Sequence, residues 1–232
     1  MDSVGSSKVG LLRENNEDHI YVGKNLFIVA DGMGGYNGGE IASELAIEVA
    51  KEELQSGEYS EELLRLAVTR ANKVVFERSQ EDPERARMGT TMVIAARSED
   101  TMYWANVGDS RLYLFSQKYG LKQISKDHSY IQELIDANEI SPEERKTHPK
   151  KNYITRAVGA ESKVLVDTGS FAVVGGTTLL LCTDGLSSLV DDEVIASVLQ
   201  KEIANAEKIE ELMTLVYDAG ARDNVSIVLA TM

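Results

Sequence analysis

The stretch Leu26–Gly39, LFIVADGMGGYNGG, decides the fold. Its apolar start, Leu26–Ala30, has the length and side-chain types of a buried strand, and the run stops at Asp31-Gly32. Glycines then recur, so backbone groups can come close to whatever the aspartate binds. Thr178–Thr183, TLLLCT, repeats the pattern and ends at Asp184-Gly185. Asp-Gly alone is a common turn signal, but two strand-tip aspartates indicate a site.

Composition restricts the classes of partner. The 232 residues include 24 basic and 38 acidic side chains, for a net charge of -14, which disfavours nucleic acid and anionic membranes. A phosphorylated substrate would then need a strong local cation, which metal ions held by aspartates would supply. No apolar run approaches a membrane span and no signal peptide is evident, so we expect a cytoplasmic protein. The single cysteine, Cys182, excludes an internal disulfide and is expected to be a buried strand residue.

Hydrophobic spacing predicts the order of strands and helices. Ile20–Val22 and Leu26–Ala30 form an antiparallel hairpin, and amphipathic helices follow from Glu40 and after Ser60. The absence of a regular strand-helix alternation argues against a doubly wound parallel sheet and favours an α+β fold of packed antiparallel sheets covered by helices. Further strands are predicted at Thr90–Ala96, Met102–Val107, Arg111–Phe115, Val164–Val174, Thr178–Cys182 and Val225–Ala230, and further helices at Asp191–Gln200 and Ala206–Ala219.

The segment Asp127–Gly159 differs from the rest of the chain. It carries two short helical patterns, Tyr130–Ala137 and Pro142–Arg145, joined by polar connections with little to bury. We therefore expect a flap inserted beside the sheet. His128 is predicted to be a structural residue hydrogen-bonded at the root of this flap, whereas His19 and His148 are expected at the surface.

Five aspartates stand at predicted strand edges or in a turn between strands. Burying several carboxylates together is costly unless cations neutralise them, and oxygen ligands without a Cys/His set select Mg²⁺ or Mn²⁺ over Zn²⁺. A structural calcium site is the alternative, but no twelve-residue loop with spaced acids occurs. The residue pattern by itself leaves metal binding and ordinary turn formation open. These aspartates are Asp18, Asp31, Asp109, Asp184 and Asp223.

Seven motifs in order resemble the metal-dependent protein phosphatase family, the type 2C Ser/Thr phosphatases, in its compact bacterial form. They extend from residue 13 to residue 225 and so cover nearly the whole chain. The motifs are Arg13-x-x-Asn16-Glu17-Asp18, Asp31-Gly32-Met33-Gly34-Gly35, Met88-Gly89-Thr90-Thr91, Val107-Gly108-Asp109-Ser110-Arg111, Asp127-His128-Ser129, Cys182-Thr183-Asp184-Gly185-Leu186 and Arg222-Asp223-Asn224-Val225.

The resemblance implies a β-sandwich of two antiparallel sheets flanked by helix pairs. It implies a single catalytic domain over residues 1–232, with a flap at 127–159, and two Mg²⁺ or Mn²⁺ ions at one end of the sheets. Asp31 would bridge both ions, the Gly32 carbonyl would join one, and Asp184 with Asp223 would complete the other. Glu17 and Asp18 would hold metal-bound waters. Asp109 with Asp184 would form a third metal site, and Arg13 would clamp the phosphate of the substrate.

The same resemblance implies hydrolysis of phosphoserine and phosphothreonine in proteins by direct attack of a metal-bridging water. Cys182 has no arginine five residues on, so no phosphate-trapping cysteine loop is present. The expected partners are phosphoproteins made by a bacterial Ser/Thr kinase, and the chain is expected to be a monomer. Two alternatives are a phosphatase dedicated to one partner and a metal-binding pseudophosphatase. The latter is disfavoured because Asp31, Asp184 and Asp223 are all present.

Tyr36 is the one departure from the family pattern. Bacterial relatives usually carry a histidine directly after Asp-Gly-Met-Gly-Gly, where this chain has Tyr36. A tyrosine with an ordinary pKa near about 10 holds its proton too tightly to cycle easily at neutral pH. We therefore predict that Tyr36 orients the phosphate or packs at the rim and is not the obligatory general acid.

Overall fold

A computed structural model describes residues 2–35, 38–81 and 88–232, and of Lys146 only the backbone. The prediction for Tyr36, and most of the charged loop 81–87, lie outside the described residues. The described strands are β1 Asp2–Lys8, β2 Asp18–Val22, β3 Leu26–Met33, β4 Gly89–Thr90, β5 Met92–Ser98, β6 Thr101–Val107, β7 Arg111–Ser116, β8 Gly120–Gln123, β9 Asp167–Ala172, β10 Thr177–Cys182 and β11 Val225–Thr231. The described α-helices are α1 Gly38–Glu53, α2 Glu61–Gln80, α3 Tyr130–Asp136, α4 Asp184–Ser187, α5 Asp192–Leu199 and α6 Asn205–Asp218, and Pro142–Lys146 forms a 3-10 helix.

Two antiparallel sheets stack face to face. One has the order β1-β11-β10-β7-β8, and the other has the order β2-β3-β5-β6-β9 with the short β4 paired to β3. The packing of strand β3 explains why its sequence is continuously apolar. Ile28 and Ala30 pack toward α1 and α2, while Phe27 and Val29 pack toward the other sheet. Because successive side chains of a strand point to opposite faces, a strand buried on both sides must be apolar at every position.

Helices cover both outer faces of the sandwich. Helices α1 and α2 pack on the six-stranded sheet, and α4, α5 and α6 pack on the five-stranded sheet. The three buried clusters are therefore helix against sheet, sheet against sheet, and sheet against helix. This four-layer arrangement confirms the predicted α+β fold. Within the described part of the chain, no helix is both long and apolar enough to cross a membrane.

Several predicted boundaries were wrong. The strand predicted at Thr90–Ala96 is split into β4 and β5 around Thr91, and the strand predicted at Val164–Val174 is ordered as β9 only from Asp167. Strand β8 was not predicted, because its polar sequence is held by pairing with β7 and by little burial of its own.

The expectation that the flap has little to bury was also wrong at both of its ends. Asp127, His128 and Ser129 at the first end are buried, as is Val158 at the second. Between them the segment is mostly exposed. The flap is therefore anchored at its root and open along its tip.

Candidate metal centre

Strand pairing brings the five predicted aspartates to one end of the sandwich. Asp18 at the start of β2 lies directly opposite Asp31 in β3. In the other sheet, Cys182 at the end of β10 lies opposite both Arg111 and Ile227. The ends of these strands carry the remaining three aspartates, which precede or follow them in the chain as Asp109, Asp184 and Asp223.

Asp18 connects the two sheets. Its side chain is buried, and its Oδ2 accepts hydrogen bonds from Thr183 Oγ1 at 2.9 Å and from Ser226 Oγ at 2.7 Å. Burial raises the pKa of Asp18 to about 7, although the two hydroxyl groups act in the opposite direction. Neutral hydroxyl donors therefore orient this carboxylate without supplying the charge that would keep it ionised.

Asp31 is fixed through its backbone. Its N–H donates to Thr91 Oγ1 at 2.9 Å, and its carbonyl accepts from Thr90 Oγ1 at 2.9 Å, so the break between β4 and β5 grips the end of β3. Burial raises the pKa of Asp31 well above its ordinary range, and the neighbouring charges of Asp18 and Asp184 add to the effect. The residue is nonetheless only half-buried, so part of it is open to solvent.

Asp184 begins α4, and its charge helps to raise the pKa of Asp31. Burial, followed by the charge of Asp223, raises the pKa of Asp184 to about 6. The two carboxyl groups therefore disfavour each other's ionised form, and a cation between them would satisfy both.

Glycines allow three chain segments to meet beside Asp31. A Cβ on Gly32 would lie only 2.1 Å from the carbonyl oxygen of Gly39, so any larger residue would push α1 away. The Gly32 N–H donates to the carbonyl of Glu17 at 3.1 Å, and burial raises the pKa of the Glu17 carboxyl. Glycine at position 32 therefore sets the close approach of α1 and of the chain before β2.

His19 stands next to this junction. Its Nδ1 lies 2.9 Å from Ser43 Oγ, and the same hydroxyl donates to the carbonyl of Glu17 at 2.6 Å. The ring is half-buried and hydrogen-bonded, a contact that the prediction of a surface histidine did not include. The sequence could not indicate this, because the partner Ser43 comes from a different element of the fold.

Arg13 lies at the open side of the cluster. Its Nη2 donates to Asp223 Oδ2 at 2.7 Å, and 46% of its side chain is exposed. Asp223 is held from the other side, where Oδ1 accepts from the N–H of Asn224 at 2.8 Å. The structure therefore brings the predicted phosphate-binding arginine against one of the predicted metal-binding aspartates.

Asp109 lies in the turn between β6 and β7. Burial raises its pKa to about 8, and the charges of Asp184 and Asp127 add to that shift. A cavity of about 520 Å³ connects Asp109 and Asp184 with Arg145 and Lys151 of the flap and with the start of α5. Asp109 thus occupies the part of the cluster nearest the flap.

The donor set fits hard divalent cations. All the converging side chains offer oxygen, and four of the five aspartates have a raised pKa because each is buried among the others. In the described part of the chain, no three Asp, Glu, His or Cys side chains already stand in the geometry of a complete ligand set. Asp223 instead bonds to Arg13, and Asp18 bonds to two hydroxyl groups. Cations would replace those partners and remove the mutual repulsion.

The root of the flap makes side-chain contacts that the sequence did not predict. Asp127, almost fully buried, accepts from Arg111 Nε at 2.9 Å and Nη2 at 2.7 Å, and from Arg145 Nη1 at 2.6 Å. The motif containing Arg111 was visible in the sequence, but its pairing with the flap depends on tertiary contacts. His128, in contrast, is a hydrogen-bonded structural residue as predicted, with Nδ1 3.0 Å from the N–H of Gly108.

Comparison with known proteins gives a consistent result. The family model described as Protein phosphatase 2C matches residues 13–219. The chain is 36% identical over 231 residues to "Serine/threonine phosphatase stp" of Listeria monocytogenes, covering 95% of this chain and 91% of that protein.

Solved structures of similar sequence share the fold. The serine/threonine phosphatase Stp1 from Staphylococcus aureus superposes with a TM-score of 0.93 at 33% identity, covering 99% of this chain and 94% of that one. The catalytic domain of the serine threonine protein phosphatase PstP, in complex with two manganese ions, gives a TM-score of 0.89 at 35% identity, covering 98% and 96%.

Proposed function

Because the chain belongs to the protein phosphatase 2C family, we propose that the aspartate end of its sandwich is the active site of this phosphatase. The chain is a metal-dependent serine/threonine phosphatase of the bacterial type. The observation that carries the assignment of the site is the convergence of five aspartates, four of them with raised pKa values, at one end of two stacked sheets. An uncompensated cluster of this kind is stable only with protons or cations.

Asp31, Asp184 and Asp223 would hold two Mg²⁺ or Mn²⁺ ions together with the Gly32 carbonyl. When bound, such ions stabilise negative charge on the phosphoryl group and lower the pKa of the water that attacks phosphorus. Asp109 with Asp184 would form a third, weaker site.

The protein groups around the ions would orient water and substrate. Asp18, aligned by Thr183 and Ser226, would accept hydrogen bonds from metal-bound water, and Glu17 would act in the same way. These two residues would touch the ions through water and not directly. Their place behind Asp31 and Gly32 supports that division of roles.

Arg13 would bind the phosphate of the substrate. Its guanidinium is half-exposed and already engages a carboxylate oxygen of Asp223, an acceptor with geometry close to that of a phosphate oxygen. In the substrate complex, a phosphate oxygen would compete for the same N–H group. Such a clamp would hold the phosphoryl group in line with the attacking water and stabilise charge on its oxygens.

The cavity between the flap and α5 would receive the phosphoprotein segment. It opens beside Asp109 and Asp184 and is bounded on the flap side by Arg145 and Lys151. We propose that the substrates are phosphoserine and phosphothreonine proteins made by a bacterial Ser/Thr kinase. We further propose that residues 1–232 act as one monomeric catalytic domain, with the flap at 127–159 selecting among substrates.

Phosphate release from unrelated phosphothreonine and phosphoserine peptides tests this function. We expect turnover with Mn²⁺ and none in excess EDTA, and we expect the exposed-turn variant Asp100→Asn to match the wild type. Activity on many peptides would support a general phosphatase, while activity on one phosphoprotein alone would support a dedicated one. Binding of Mn²⁺ without turnover on any substrate would contradict the proposal and favour a binding module.

A further inference from the structure

The turn that carries Asp109 is tied on its inner side to Asp31. Thr91 Oγ1 lies 2.7 Å from Ser110 Oγ, and it also accepts the N–H of Asp31 at 2.9 Å. Gly108 has a φ of +104°, and a Cβ there would lie 2.5 Å from Thr91 Cγ2. The backbone at Asp109 is therefore packed directly against the residue that holds the end of β3.

His128 ties the outer side of the same turn. Its N–H donates to the carbonyl of Gly108 at 2.9 Å, and its Nδ1 accepts the N–H of Gly108 at 3.0 Å. Asn106 Nδ2 reaches the same carbonyl at 3.3 Å. Both polar backbone groups of Gly108 are thus bonded to the flap root, which fixes the left-handed conformation that aims the next residue, Asp109.

The two nitrogens of the His128 ring have different partners. Because Nδ1 accepts from a backbone N–H, the proton of a neutral ring lies on Nε2, where Asp167 Oδ2 stands 3.1 Å away. Asp167 also accepts from Arg156 Nη1 at 2.9 Å. One nitrogen therefore holds the Asp109 turn, and the other holds the ring to β9.

Asp127, the flap residue before His128, holds the chain that follows Asp109. Asp127 accepts hydrogen bonds from two guanidinium nitrogens of Arg111, which lies two residues after Asp109. Successive flap residues, Asp127 and His128, consequently hold the chain both after and before Asp109. The root of the flap and the Asp109 turn form one unit.

We propose that His128 is a positioning residue that holds Asp109 in place for a divalent cation, so that the root of the flap sets the affinity of that site. The inference rests on the proposed function, because Asp109 is assigned there to the third metal site. It adds a residue that touches neither ion nor substrate and acts through the backbone of Gly108. Partners of this kind typically change metal affinity by about 10- to 100-fold when they are removed.

Two substitutions of His128 distinguish the roles of the two ring nitrogens. Asparagine places its Oδ1 near the position of Nδ1, and glutamine places its amide nitrogen near the position of Nε2. We expect His128→Gln to weaken the Asp109-dependent Mn²⁺ site by roughly tenfold and His128→Asn to stay close to the wild type. Free Mn²⁺ is measured during titration by its electron paramagnetic resonance signal, and Asp109→Asn identifies which site is lost.

Matched variants keep the test independent of folding. His148→Asn and His148→Gln, at a half-buried position elsewhere in the same flap, should bind Mn²⁺ as the wild type does. Asp167→Asn removes the negative charge beside Nε2 and the ion pair with Arg156, leaves the contacts of Nδ1 with Gly108 in place, and should also keep the site. Melting temperatures measured in EDTA show whether each variant is folded.

Three results would overturn the inference. The first is unchanged Mn²⁺ binding in a folded His128→Gln, and the second is a loss in Asp167→Asn as large as that in His128→Gln. The third is a Mn²⁺ titration that Asp109→Asn does not alter. Failure of the proposed function is separate from all three, because it would appear as a wild-type protein that binds Mn²⁺ at Asp109 but releases no phosphate.

Discussion

The aspartate end of the sandwich and the flap beside it are built differently. The aspartates stand at strand ends of both sheets, and Thr183 and Ser226 of one sheet fix an oxygen of Asp18 in the other. The flap between its buried ends is mostly exposed and contains only one short helix and a 3-10 helix. On the proposed function, the positions needed for chemistry would be held by sheets, while substrate access would be left to a segment that can change with little cost to the core.

The electrostatics of the two regions differ in the same way. Burial raises the pKa of Asp109 to about 8, and the charges of Asp184 and Asp127 add to the shift. Asp127 is also buried, yet its pKa is lowered, because Arg111 and Arg145 overcome the effect of burial. The flap root thus neutralises its buried carboxylate with two arginines of the chain, whereas four of the aspartates at the other end keep raised pKa values and, on the proposed function, would be neutralised by metal ions.

Removing one aspartate from the cluster should have the largest effect. We expect Asp184→Asn to lower kcat by about 10²- to 10³-fold or more. The substitution removes a carboxylate that is proposed to hold the ions, and those ions would stabilise negative charge in the transition state. The loss should be equal on a phosphopeptide and on a small aryl phosphate, measured by phosphate release. The exposed variant Asp100→Asn serves as the control. A variant that retained most of its activity on either substrate would show that Asp184 is outside the active site.

The metal-free protein should become less stable as pH rises. Asp18, Asp184 and Asp109, with folded pKa values of about 7, 6 and 8, bind protons more tightly in the folded state than the usual pKa near 3.8 allows. Their contribution is fully present below about pH 4 and is lost as pH rises through the folded pKa values. In EDTA the Tm should therefore fall by several degrees between pH 5 and 9, at about 2–4 °C per kcal/mol.

Manganese and one variant sharpen this pH test. With Mn²⁺ the fall in Tm should largely disappear, because cations replace the protons, and Asp109→Asn should flatten the slope measured in EDTA. A Tm that stays constant or rises over this range in EDTA would contradict the account of the cluster.

Loosening the flap should affect protein substrates alone. Arg145→Gln removes the 2.6 Å bond to Asp127 Oδ2, while Arg111 still neutralises that carboxylate. A charged hydrogen bond is worth about 1.5–3 kcal/mol, so kcat/KM on a phosphopeptide should fall roughly tenfold. Aryl phosphate hydrolysis should be unchanged, and Arg65→Gln on α2 is the matched control. An equal loss on both substrates would mean that the flap tip and the metal chemistry are not separable.

Tyr36→Phe should give the smallest effect. A residue that orients phosphate or packs at the rim should cost less than the factor of about 10² that marks a general acid. Measurement of kcat across pH, beside Asp184→Asn, checks this. Loss as complete as that of Asp184→Asn would make Tyr36 essential.

Local patterns in the sequence predicted the parts of the fold that depend on neighbours along the chain. The run Leu26–Ala30, the turn that follows Val22 and the two amphipathic helices were all visible, and the short hairpin sets Asp18 opposite Asp31. The convergence of Asp184 and Asp223 on that pair came from the family resemblance. No periodicity indicates which strands of separate sheets share an end.

Contacts between distant segments were not predictable in this way. Thr91 interrupts a strand because its hydroxyl holds Asp31, and a count of apolar residues cannot reveal that bond. Asp127 and Arg111 were each present in a motif, but their pairing requires the flap to fold back on β7. The sequence therefore predicted the layers and the chemistry of the site better than the tertiary hydrogen bonds that align it.

Anomalous scattering at the manganese edge from a crystal grown with Mn²⁺ tests the central claim most directly. We predict two peaks bridged by Asp31, one of them also at Asp184 and Asp223, and a weaker third peak at Asp109. Peaks elsewhere on the protein, or none at Asp31 in crystals of an active preparation, would contradict the assignment of the aspartate end as the metal centre.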